Sequence, residues 1–438
     1  MLTTKKLYFS DSYIIDVIVV LLGAVLLTLS CSLLFRGLFT AQIFAAKMTD
    51  IAQFSGPYVK QFIFLLIANS EIIAPVLGIT MFTIAILLIL FIARGLMAIL
   101  MGVGFFIAWI LLWRYPGVWT YALLFPTLFA ICVGLAKLNH PPLGLSVYHQ
   151  LTVSKPTQIL IILFLSILLG YVTFLSLIHN VMSYKIAISA GLTFLIVSYI
   201  HLGIDQWLKN KNIQINISRL ASINWIDVMI LIIGSMMVAQ VYSNYYSTLY
   251  TVNGFESLGE YYATNTASFW LSPLLSWASH HGSVLLPIYI LYEILVAISL
   301  VLLIFRGPTT LLAAILFFLL AFAEFGVSST WPPTPGLYTR EWELLLPATV
   351  SLLISIGKFE EMYHATTWQE VILGKKIFYS LSLFARMSIV TISAIVLYCA
   401  GMITHIFGSP YASISISAAV TFFILLMLLV WMDKYRSN

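Results

Sequence analysis

The sequence predicts an all-α polytopic membrane protein of about twelve transmembrane helices, built as two tandem six-helix repeats of the same orientation. Three observations lead there: a nearly uncharged composition, apolar runs that recur from end to end, and paired motifs at a slowly growing offset. Of the 438 residues 61% are hydrophobic and 8% charged, against about 25% charged in a typical soluble domain. A water-soluble core cannot bury that much apolar side chain. Each run of about 20 residues is long enough to cross about 30 Å of hydrocarbon. The runs do not alternate polar with apolar residues, as strands of a membrane barrel would, so helices are the expected spanning form.

The expected spans are 13–35, 71–92, 95–113, 118–136, 158–180, 185–204, 224–243, 286–305, 309–327, 343–357, 377–400 and 411–432. The tenth is short, and the reading has it begin inside the preceding loop. The first, with Lys5 and Lys6 before it, is longer than a signal-peptide core and is read as a retained helix. With the N-terminus inside, fourteen Lys and Arg fall on the cytoplasmic side and six outside, which satisfies the positive-inside rule. This predicts a bacterial-type inner membrane protein with both termini cytoplasmic. The net charge of +5 is spread singly over short loops rather than gathered in a patch, so nucleic acid is not an expected partner. Cys31, Cys132 and Cys399 lie inside apolar runs without a C-x-x-C or a neighbouring histidine pair, which argues against a disulfide framework or a zinc site.

Two long outside segments, 36–70 and 244–285, mix aromatic with small polar residues, such as Tyr58, Phe62 and Phe64 in one and Phe269, Trp270 and Trp277 in the other. Such segments suit an interfacial helix, a re-entrant cap or an aromatic belt.

The repeat rests on four anchors in order. IDVIVVLLG from Ile15 matches IDVMILIIG from Ile226, pairing Asp16 with Asp227 and Gly23 with Gly234. Pro75 and Arg94-Gly95 match Pro287 and Arg306-Gly307. LLFPTLFAICVGLAK, ending at Lys137, matches LLLPATVSLLISIGK, ending at Lys358, and AISAGLTF matches SISAAVTF. The domains expected are a first membrane unit over 1–205, a cytoplasmic linker over 206–223 and a second unit over 224–438. Asp16 and Asp227 lie near the cytoplasmic ends of equivalent helices, which suggests a structural role such as capping.

The second unit carries Glu293 in a helix that ends at Arg306-Gly307. An Ala- and Phe-rich helix follows, then a loop through Gly336, then Glu343-Leu-Leu-Leu-Pro and a helix closing on Gly357. This pattern resembles the DoxX/DoxD group of four-helix membrane proteins, over the first four helices of each unit. The resemblance implies a four-helix bundle in each repeat and an association with redox enzymes, including thiosulfate:quinone oxidoreductase, so a quinone is the one cofactor it suggests. The first copy departs from the pattern: Met81 stands opposite Glu293 and Ala122 opposite Glu343.

Charges within spans are functional pointers, because burial in hydrocarbon costs several kcal/mol unless partners compensate. The candidate ligand-binding residues are Glu293, Glu324, Arg340, Trp342, Glu343 and Arg386, with His280, His281 and Trp331 as secondary candidates. Adjacent histidines do not easily share one ion, so no metal is expected. No nucleotide-binding loop, nucleophile elbow or H-E-x-x-H occurs, and no catalytic residue is assigned; at most the chain is an oxidoreductase subunit. The leading expectation is therefore a redox-associated membrane subunit with an outward-facing quinone- or lipid-binding pocket in the second unit, acting with a protein partner. A transporter or channel with its path between the repeats, and a scaffold or assembly subunit of a membrane complex, are the rivals. Cysteine labelling from either side of the membrane is expected to reach Lys209 from inside and Thr264 from outside; the reverse pattern would invert every side assignment.

Overall fold

Long apolar runs leave the backbone one way to satisfy its own hydrogen bonds in lipid, the α-helix. The computed structural model describes residues 10–112, 124–138, 154–176, parts of 188–203, 224–324 except 247, 267 and 269, 340–373, and parts of 420–428. All of its regular structure is helical. Among the described residues, six helices are long and apolar enough to cross a membrane.

The chain divides into two compact units. One comprises residues 12–218 and 324–343, the other residues 1–11, 219–323 and 344–438. In the first unit α1 (Asp11–Phe35) is followed by two short helices, α2 (Ala41–Phe54) and α3 (Pro57–Ala68), then α4 (Ser70–Ile89), α5 (Arg94–Leu112), α6 (Leu124–Lys137) and α7 (Lys155–Ser176). The second unit runs α8 (Trp225–Tyr246), short α9 (Val252–Asn265) and α10 (Ser272–His280), α11 (Gly282–Val301), α12 (Arg306–Glu324), α13 (Arg340–Tyr363) and the short α14 (Trp368–Leu373). The two long segments between expected spans, 36–70 and 244–285, thus each contain a pair of short helices.

Local geometry agrees closely between corresponding segments. α4 and α11 are both 20 residues long, and α5 and α12 both 19. α1 ends in a Schellman turn, with Leu38 N–H on the Leu33 carbonyl at 3.0 Å and Gly37 at φ 73°. α8 ends the same way, with Leu249 N–H on the Asn244 carbonyl at 3.0 Å and Thr248 at φ 64°. The ends of α4 and α11 repeat the device: Ile92 N–H reaches the Leu87 carbonyl and Ile304 N–H the Ser299 carbonyl, both at 2.9 Å. Here the left-handed position is filled by Phe91 and Leu303, at φ 60° and 53°. Side chains pay a steric cost in this region, so both turns need packing to hold them, and both residues are buried at 1% exposure or less.

The packing repeats as well. A Cβ on Gly23 would lie 2.8 Å from Ile89, and one on Gly234 would lie 2.8 Å from Val301, so glycine lets α1 meet α4, and α8 meet α11, at backbone distance. On the opposite side of α4 the exposed stripe is Ile72, Val76 and Ile79; on α11 it is Val284, Ile288 and Leu291. Aliphatic side chains at helical spacing without a protein neighbour suit hydrocarbon.

Four of the basic residues that the sequence reading placed in short loops are buried instead. Asp16 on α1 holds Lys137 at 2.8 Å and Arg94 at 3.3 Å, all at most 4% exposed. Lys137 also donates to the carbonyl and hydroxyl oxygens of Ser12, at 3.1 and 3.0 Å. In the other unit Asp227 on α8 holds Arg306 at 3.0 Å, and Lys358 is paired with Glu361 at 2.8 Å. The two aspartates are therefore buried ion-pair partners, not caps: α1 begins at Asp11, five residues before Asp16.

Helix bounds also correct the sequence reading in two places. α11 begins at Gly282 rather than 286 and carries Pro287 inside it, one turn past its start. α13 runs from Arg340 to Tyr363 rather than being a short span of 343–357, since charged residues at both ends lower the hydropathy without breaking the helix. The spans expected at 377–400 and 411–432 lie wholly or largely outside the described residues.

Asp16→Asn leaves Arg94 and Lys137 buried without their anion and is expected to cost about 3–5 kcal/mol. Thermal unfolding of the purified protein measures it, and the double change Asp16→Asn with Lys137→Met should cost less than the sum of the two.

Candidate functional site

Glu293 is fully buried, at 0% exposure, yet among the described residues no cation pairs with it. Neutral donors surround it instead. Tyr289, one turn earlier on α11, donates to Oε1 at 2.6 Å. Tyr250, from the turn between α8 and α9, donates to Oε2 at 2.6 Å. The Asn244 amide, in the last turn of α8, reaches Oε1 at 3.0 Å and Oε2 at 2.9 Å, and also approaches the Tyr289 hydroxyl at 3.3 Å. Gln240 steadies that amide by donating to its oxygen at 2.9 Å. Phe255 of α9 packs its ring 5.7 Å from that of Tyr289.

The local fold explains the convergence. The Schellman turn at Thr248 reverses the chain so that Tyr250 points back at α11, and the Gly234 contact brings α8 and α11 close enough for Asn244 to reach across. Tyr250 is pushed well above the usual phenol range, by burial first and then by the Glu293 carboxylate beside it. It therefore keeps its proton and serves as a donor.

Tyr250 also faces a second feature. It lines an apolar groove of about 410 Å³ between α8, α11, Thr421 and Leu425, walled by Val241, Tyr242, Tyr245, Ile290 and Ile294 among others. The Tyr242 hydroxyl meets Thr421 Oγ1 at 2.6 Å across the groove. Tyr245 is 63% exposed and Ile298 37%, so the groove opens along the helix surface.

In the corresponding part of the other unit every polar member of the network is apolar. Leu33 stands for Asn244, Phe39 for Tyr250, Leu77 for Tyr289 and Met81 for Glu293. Phe39 packs on Gly78 and edge-on to Phe82, with ring centroids 6.4 Å apart, which fills the space with hydrocarbon.

Of the residues singled out in the sequence, Glu293 stands at the centre of this site. His280 and His281 end α10 as exposed groups whose Nδ1 atoms lie 2.7 and 2.8 Å from the carbonyls of Ser276 and Trp277. His281 stacks on Trp277 at 4.8 Å. Glu324 closes α12, and Arg340, Trp342 and Glu343 open α13, but their side chains lie outside the described residues. Trp331 and Arg386 also lie outside them. Among the described residues no group of three His, Cys, Asp or Glu could hold a metal ion. Sequence reasoning missed Asn244, Tyr250 and Tyr289. The signal was present: at the offsets of the paired motifs, polar residues of the second half stand over apolar residues of the first.

Comparison with protein-family models, curated proteins and solved structures finds no match to this chain.

Glu293→Met alone leaves two phenols and an amide buried without their acceptor, at about 1–3 kcal/mol for each unsatisfied group. Changing all four residues to their counterparts, Asn244→Leu, Tyr250→Phe, Tyr289→Leu and Glu293→Met, is expected to destabilise less than Glu293→Met alone. Thermal melts of the two variants against wild type decide the order.

Proposed function

We propose that the chain is a tandem duplication of a six-helix membrane unit in which the second copy binds a lipophilic amphiphile, a quinone or a lipid, at Glu293 and Tyr250. The protein acts as a redox-associated membrane subunit with a partner protein, and the pocket faces the outer half of the bilayer. The observation that carries the reading is the junction of two unlike features at Tyr250. An apolar groove with partly exposed walls meets a buried carboxylate whose partners among the described residues are all neutral donors. A hydrocarbon tail suits the first and an oxygen-bearing head the second, which is the usual composition of a small-molecule site: apolar walls with a few placed polar groups.

Several further points support it. A buried carboxylate with no cation partner among the described residues is costly, which supports a role beyond packing. The other unit closes the same space with Leu33, Phe39, Leu77 and Met81, which fold without any such group. The matching turns, helix lengths and buried Asp–Arg pairs support the duplication. The resemblance to DoxX/DoxD proteins, carried by Glu293, the Arg306-Gly307 turn and Glu343, favours a quinone among amphiphiles.

The test is to purify the full-length protein from membranes in mild detergent and to analyse its organic extract by mass spectrometry for quinone and lipid. A retained amphiphile near one per chain is expected, reduced about tenfold by Ile294→Trp, which fills the groove from its lining. Absence of a retained amphiphile from wild type, or equal retention in the variant, would overturn the proposal.

A further inference from the structure

The network around Glu293 has two ways to share its protons, and they differ in what Tyr250 presents to the groove. As built, Oε1 accepts from Tyr289 and Asn244, and Oε2 from Tyr250 and Asn244. Four contacts on two oxygens suit an ionised carboxylate, which only accepts. The Tyr250 proton is then committed to Glu293, and its phenol oxygen has only lone pairs left for a molecule in the groove. When Glu293 takes up a proton, one of its oxygens becomes a donor and a phenol facing it must accept. Tyr289 is the less free of the two, because the Asn244 amide also approaches it and Phe255 packs on its ring. Of the two phenols Tyr250 is the one that lines the groove, so its O–H turns there.

We propose that Tyr250 and Glu293 form a donor–acceptor switch that selects the head group of a neutral amphiphile in the groove, a hydroxyl when Glu293 is ionised and a carbonyl when it is protonated. The inference rests on the amphiphile site proposed above. No bond other than O–H is made or broken: one proton enters or leaves Glu293, and the Tyr250 proton changes its acceptor. The head is neutral on either side of the switch. Beside an ionised Glu293 a phosphate would be a second anion without a cation among the described residues, and beside a protonated one it would be an uncompensated charge in hydrocarbon.

Among the described residues, neutral side chains face Glu293 from the elements packed against it. The connecting turn supplies Tyr250, and its own helix supplies Tyr289 and Tyr292, the last of which donates to the Leu312 carbonyl of α12. α8 supplies the Asn244 amide. α9 presents Phe255 to Tyr289, and Glu256 to Gly282 about three turns from Glu293 along α11. On α10 the histidines turn back to their own helix, and residues 421–425 present Thr421 to Tyr242.

The test uses full-length protein in lipid nanodiscs with two photoreactive probes of equal chain length, a diazirine-bearing long-chain alcohol and the corresponding methyl ketone. Labelling of the α11 peptide that carries Ile290 and Ile294 is counted by mass spectrometry at about pH 5 and about pH 9. Raising the pH removes the Glu293 proton and turns lone pairs of Tyr250 to the groove, so the alcohol-to-ketone ratio should rise, by about tenfold across the range. In Glu293→Gln and in Tyr250→Phe the ratio should stay flat with pH, and agreement between the two guards against a folding defect in either. Labelling of wild type with a flat ratio, or a pH response that survives in Glu293→Gln, overturns the switch while leaving the amphiphile site standing. No labelling by either probe removes the amphiphile site itself, and the switch with it.

Discussion

Burying a charged side chain among hydrocarbon costs several kcal/mol unless something in the protein answers it, and this constraint organises both units. It accounts for the helices first, because an unpaired backbone amide in lipid is subject to the same penalty. It then accounts for how they meet. Asp16 and Asp227 are carried on the first long helix of their segments, and each is answered by an arginine that opens a later helix, Arg94 or Arg306. Those arginines follow directly on the Schellman turns at Phe91 and Leu303, whose left-handed residues are held by burial. Ion pair, turn and helix start thus form one assembly, and loosening any part exposes a charge to an environment that cannot solvate it.

The carboxylates are answered in two ways, and the chemistry differs accordingly. Asp16 and Asp227 face cations at 2.8 to 3.3 Å, which makes a fixed joint. Glu293 faces two phenols and an amide. Neutral donors can satisfy an anion, but they can also reorganise around a neutral acid, since a hydroxyl both donates and accepts. A residue held by Arg or Lys lacks that choice, because those groups only donate. The reorganisable arrangement lies beside an open groove and the fixed one at the helix joints.

Much of the architecture is legible in the sequence, because span length and charge placement report the same constraint. The expected 13–35 and 95–113 appear as Asp11–Phe35 and Arg94–Leu112, and the anchors Asp16, Arg94, Asp227 and Arg306 meet as ion pairs. Where the reading strayed, hydropathy had stood in for backbone. Arg340, Glu341 and Glu343 at one end of α13, and Lys358, Glu360 and Glu361 at the other, shorten the apolar run, although none of them breaks a helix. Glu293 was legible as a charge inside a span. Its partners were not, because tyrosine and asparagine near a membrane surface resemble an ordinary aromatic belt, and Tyr250 reaches the site only through a turn held by a threonine in the left-handed region.

The contrast between the copies is informative because it is all or none. Four positions that touch one another are polar in one segment and Leu33, Phe39, Leu77 and Met81 in the other. Independent drift would leave mixtures, yet any mixture is worse than either end. A glutamate without its donors is an unanswered charge, and donors without the glutamate are buried groups with no acceptor, each costing about 1–3 kcal/mol. Each complete state is therefore lower in energy than the mixtures between them. Phe39 packed on Gly78 and Phe82 closes one space with hydrocarbon alone, while in the other segment two phenols and an amide answer the buried carboxylate beside the groove.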